Sequence, residues 1–187
     1  MNKILAGRQT GLDIALVSIL VSAAIALSGG ANAASVTAAA TATVVAPITI
    51  AKITDLNFGS FYPSGTSGTV DVNTNGARIV TGGVLAAASG ATPTAAKFDV
   101  TGAASATYTI GYTSAVTLTS VTPGNVPMAL TQISDLSGGG AATTLVATGT
   151  LSAGGIQTIF IGGNLAVAAN QGAGVYTGTI SATVAYN

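Results

Sequence analysis

Side chains able to do chemistry are scarce in this 187-residue chain, which has no histidine, cysteine, tryptophan or glutamate. One run stands out. Asp71, Asn73 and Asn75 alternate and are followed by Gly76, giving the first half of a D-x-N-x-N-G loop. Oxygens at that spacing suit a hard cation, so the three form a candidate calcium site. The position where a bidentate glutamate is expected is Gly82. The same run also reads as a hairpin turn, because Asn75-Gly76 joins two strand-like stretches. Elsewhere Asp55, Asp99 and Asp135 stand apart from one another, with no histidine and no paired carboxylate for general acid–base work. No nucleophile has a partner base, no cysteine–histidine set can hold zinc, and Gly138-Gly139-Gly140 lacks the lysine of a phosphate loop. The residues therefore predict no catalytic site and no cofactor. Lys97 and Asp99 share a strand face and could pair, though an exposed pair contributes little. Phe58, Phe61, Phe98, Tyr108, Tyr112 and Phe160 read as core or rim packing.

The elements that position these residues begin with a leader. Lys3 and Arg8 precede an apolar stretch at 14–27, broken only by Ser18 and Ser22, and Ala31-Asn32-Ala33 is an A-x-A cleavage site. This pattern predicts a signal peptide over residues 1–33 and a mature chain starting at Ala34. The apolar stretch is shorter than the ~20 residues a membrane helix needs. Export to the periplasm and the cell surface is expected, with no membrane insertion of the mature chain. Beyond the leader, Lys52, Arg78 and Lys97 face Asp55, Asp71, Asp99 and Asp135, a net charge of minus one. So sparse a charge gives no electrostatic footprint for nucleic acid. Without cysteine no disulfide stabilises the exported fold, which leaves strand pairing or assembly to do so.

The mature sequence alternates short apolar stretches with Gly, Ser, Asn and Pro turns. Strands are predicted at 36–50, 55–61, 69–73, 77–85, 97–101, 108–112, 116–121, 128–133, 143–151, 156–161, 164–168 and 175–186. Turns are expected at 63–65, 75–76, 122–125, 137–140 and 162–163. Many short strands at even spacing predict an all-β fold, an immunoglobulin-like β-sandwich at 47–187, with a membrane β-barrel as the alternative architecture. At the front, Val36, Ala38, Ala40, Ala42 and Val44 lie on one face and threonines dominate the other. At the back, Tyr176, Ile180, Val184 and Tyr186 share a face that is expected to meet the core.

The runs Pro47-Ile48-Thr49-Ile50, Leu56-Asn57-Phe58-Gly59 and Phe98-Asp99-Val100-Thr101-Gly102 resemble a secreted bacterial family known as domain of unknown function 4402. So do Gly162-Gly163-Asn164-Leu165-Ala166-Val167, Gly174-Val175-Tyr176-Thr177-Gly178-Thr179-Ile180 and Val184-Ala185-Tyr186-Asn187. The Gly-x-Tyr-x-Gly-x-Ile tail with Tyr186 next to last is also similar to the spore coat U and chaperone–usher pilin group. That second resemblance implies a bacterial host and an incomplete immunoglobulin-like (pilin-like) sandwich, each copy donating an N-terminal strand to the next. It also implies a periplasmic chaperone and an outer-membrane usher as partners.

On this reading residues 34–46 are a donor strand whose Val36, Ala38, Ala40, Ala42 and Val44 face a groove in a second copy. The product would be a head-to-tail homopolymer, a pilus-like surface fibre. The alternative function is a monomeric secreted β-sandwich, an adhesin-like binding module with a self-complete fold.

Overall fold

The computed structural model describes residues 33–113 and 115–187. The predicted signal peptide thus lies outside the described residues except for Ala33. The chain divides into two units, Met1–Thr43 and Val44–Asn187. Of the first, residues 33–43 are exposed and carry no strand. The second holds all the strands found among the described residues.

The strands are β1 (Thr49–Thr54), β2 (Phe61–Val72), β3 (Arg78–Ala86), β4 (Ala96–Thr101), β5 (Thr107–Tyr112), β6 (Val116–Ser120), β7 (Met128–Asp135), β8 (Thr148–Thr150), β9 (Ile156–Val167), β10 (Tyr176–Thr177) and β11 (Ala182–Tyr186). No helix occurs among the described residues. All pairings are antiparallel. The larger sheet runs β1-β4-β9-β7-β6-β10, with β2 on β9 and β3 on β2; the smaller runs β11-β5-β8.

Alternation builds the core. In β4, Ala96, Phe98 and Val100 point inward while Lys97 and Thr101 point out; in β7, Met128, Leu130, Gln132 and Ser134 point inward. Two apolar clusters result. One joins Phe98, Val100, Ile159 and Ile161 of the larger sheet to Tyr108 and Ile110 of the smaller, so the sheets pack face to face as a β-sandwich. The other gathers Val70, Val72, Leu130 and Leu165 under Phe58. Leu56 and Ile180 pack against both.

Several expectations are revised. The stretch at 36–50 is a strand only from Thr49. Its alternating pattern specifies a face, but a strand also needs a partner ladder. Residues 156–161 and 164–168 are not two strands around a turn: β9 runs through Gly162-Gly163. A Cβ on Gly162 would sit 2.2 Å from the Val72 carbonyl oxygen, and one on Gly163 would sit 2.6 Å from Leu130. These glycines allow backbones to approach inside the sheet.

The stretch at 55–61 holds only an isolated bridge between Asn57 and Thr94. The Asn57 side chain accepts the Gly59 amide at 2.7 Å, and Gly59 has φ of +72°, a turn that interrupts pairing. The turn expected at 63–65 lies within β2, where the register with β3 shifts between Pro63 and Gly68. The final stretch at 175–186 is split into β10 and β11, on different sheets.

Candidate functional site

An apolar groove lies along the C-terminal segment of the Val44–Asn187 unit. One wall is the end of β1 and the connection to β2, residues 52–63; the other is residues 171–180. Two contiguous cavities of about 440 and 640 Å³ share Leu56, Phe58, Leu118, Tyr176 and Thr177. Phe98, Val116 and Leu130 complete the floor of the first.

Neither wall has a full complement of pairing. β10 bonds β6 on one side through Tyr176 and Thr177 only, and residues 178–181 belong to no strand. On the opposite wall, residues 55–60 lie in no strand but are held by a bridge at Asn57, by the Ala87 amide donating to the Ser60 carbonyl at 3.0 Å and by the Thr94 hydroxyl donating to the Asp55 carbonyl at 2.8 Å. The Arg78 guanidinium holds that wall in place by donating to the carbonyls of Phe58 at 3.2 Å, Ser60 at 2.8 Å and Ala87 at 3.5 Å. Lys52 and Asp55 form an exposed ion pair at the rim, 2.6 Å apart, which contributes little in water. Away from these cavities, the Tyr186 hydroxyl of β11 meets the Ala46 carbonyl at 2.8 Å.

A family profile described as Domain of unknown function (DUF4402) matches residues 48–186. The chain belongs to the DUF4402 family. No curated protein matches the chain.

In this DUF4402 chain the residues predicted to face a groove, Val36, Ala38, Ala40, Ala42 and Val44, are all exposed, Val36 at 98% and Val44 at 96%. Tyr176, Ile180, Val184 and Tyr186 are each half-buried and do share an inward side. Tyr176 packs on one cluster, Val184 and Tyr186 on the other, and Ile180 on both. The parity was thus readable, while the change of sheet between them was not.

The Asp71, Asn73 and Asn75 run forms the hairpin between β2 and β3. The Asn73 amide bonds the Ala77 carbonyl at 2.9 Å, the Gly76 amide bonds the Asn73 carbonyl at 2.8 Å, and Gly76 has φ of +84°. Both Asp71 carboxylate oxygens are taken, one by Asn164 and one by Thr69 at 3.0 Å; the Asn75 side-chain oxygen accepts the Ala77 amide at 2.9 Å. These oxygens serve the turn and the ladder, so the hairpin alternative is the one the chain builds.

Lys97 and Asp99 do not pair. Lys97 lies over the Phe160 ring, 5.5 Å from its centroid, and Asp99 accepts the Thr158 hydroxyl at 2.7 Å. A neighbouring aromatic face and a cross-strand hydroxyl satisfy the two groups separately.

Sequence reasoning missed Asp135. Its carboxylate caps a tight loop, accepting the Thr74 hydroxyl at 2.5 Å and the amides of Ser137 at 3.0 Å and Gly138 at 2.5 Å. Burial pushes this carboxyl up, but the Thr74 hydroxyl and the amides of Gly138, Ser137 and Gly139 outweigh it, and the net position is below the ordinary carboxylate range. An aspartate two and three residues before Ser137-Gly138 was the available signal.

Proposed function

We propose that this DUF4402 protein is an exported structural subunit that assembles by lending residues 34–46 to the groove of a second copy. The single observation that carries the reading is the groove itself, apolar on its floor and bounded on one wall by residues 178–181, which belong to no strand. Such an edge is a template for strand addition. The arm supplies what the groove lacks. Residues 34–46 contain no charge and place small apolar side chains at alternate positions. A nine-residue stretch such as 36–44 reaches about 30 Å when extended.

Each ladder bond contributes about 0.5–1.5 kcal/mol net, against an ordering cost of about 1–2 kcal/mol per residue. The hydrogen bonds alone do not secure the joint. Closing an apolar groove that is otherwise open to water supplies the remainder. The arm of one copy entering the body of the next leaves that copy's own arm free for a third, so growth is linear. A pilin-like topology, a periplasmic chaperone and an outer-membrane usher fit this reading and belong to the same proposal.

The test is an unheated denaturing gel of the exported protein, run beside a version lacking residues 34–45. The full chain is expected to give a ladder that collapses on boiling, and the truncated chain a single low-mass band. Mixed with full chains, the truncated body should accept an arm but donate none, and so shorten the ladder. A full chain that stays at one subunit, or a truncated chain that still polymerises, would refute the proposal.

A further inference from the structure

The end of β11 carries a contact that strand addition alone does not require. The Tyr186 hydroxyl links two backbone segments far apart in sequence. It accepts the Ala103 amide at 2.6 Å and donates to the Ala46 carbonyl at 2.8 Å. A phenol has one proton to give, so that proton is committed to Ala46 while a lone pair holds Ala103. Room for the hydroxyl is kept by Gly102, where a Cβ would lie 2.3 Å from the Tyr186 oxygen. Ala46 is followed by Pro47, with fixed φ and no amide, and the ladder of β1 starts only at Thr49.

We infer that Tyr186 is a positioning residue that holds the root of the arm at Ala46 against its own body, and so narrows the spread of angles between successive subunits. This inference rests on the donor-arm reading given above. Residues 44–48 carry no strand. Left unheld, five residues of flexible chain have an end-to-end spread of about 12 Å. The Tyr186 clasp removes that freedom at its midpoint. A root held at Ala46 narrows the orientations that the arm presents to the next groove, which lowers the ordering cost of the joint.

Two substitutions test the clasp by different routes. Tyr186→Phe removes only the hydroxyl and keeps the ring in the core. Gly102→Ala keeps Tyr186 and pushes the hydroxyl off its partners. Backbone order parameters over residues 44–48 of the unpolymerised full-length protein are expected to drop from about 0.8 to below 0.6 in both variants. In polymers seen by electron microscopy, the spread of angles between neighbouring subunits should at least double. Unchanged order parameters in both variants would overturn the inference, as would unchanged angles. A merely structural tyrosine would lower the melting temperature and leave both readouts alone. If the unsubstituted chain forms no polymer, the assembly reading falls and the order parameters still decide the clasp.

Discussion

Tyr108 is fully buried, and its hydroxyl has no hydrogen-bond partner among the described residues. Burial first, and Tyr112 beside it second, push its pKa up. An unpaired buried hydroxyl costs stability, so Tyr108→Phe is expected to raise unfolding free energy by about 1 kcal/mol in denaturant melts; a clear loss would contradict this. Asp135 behaves in the opposite way. Its folded pKa is depressed, so its contribution is fully present above the unfolded value of about 3.9 and is lost as pH falls through the folded value. Asp135→Asn should therefore lower stability at neutral pH and flatten the acid side of the stability profile below about pH 4. Equal acid limbs in melts of the two proteins would exclude that role. The unpaired hydroxyl was not visible in the sequence, and the cap was only half visible, in the spacing of Asp135 from Ser137 and Gly138. Its other partner, the Thr74 hydroxyl, is distant in the chain and only the fold brings it to Asp135.

At the scale of elements, alternation proved a reliable guide to faces and a poor one to partners. The inward set of β4 and β7 could be read directly, because period two reports which side of a sheet meets the core. It does not report which sheet. The tail from Tyr176 to Tyr186 keeps one parity throughout, yet β10 lies on β6 and β11 on β5. Glycine pairs misled for a related reason. A turn and a close backbone approach both call for Gly, and only the fold distinguishes Gly162-Gly163, inside β9, from Asn75-Gly76, at a hairpin. Gly162→Ala tests the distinction. In a turn it would be mild. Against the Val72 carbonyl it should cost about 1–3 kcal/mol, read as a melting temperature lower by several degrees.

At the scale of the molecule, the groove was legible only as an implication. Apolar alternation over 36–50 announced a strand, and the tail announced another, but the gap between walls 52–63 and 171–180 depends on where two irregular stretches settle. The turn at Gly59 and the strandless residues 178–181 are what hold it open. With one arm and one groove per copy, a row of n subunits on the proposed reading has n − 1 joints. Every such row keeps one unfilled socket and one unspent tether, however long it grows. The two ends are chemically different, so extension and capping are separate reactions, and whichever partner seals the socket sets the length.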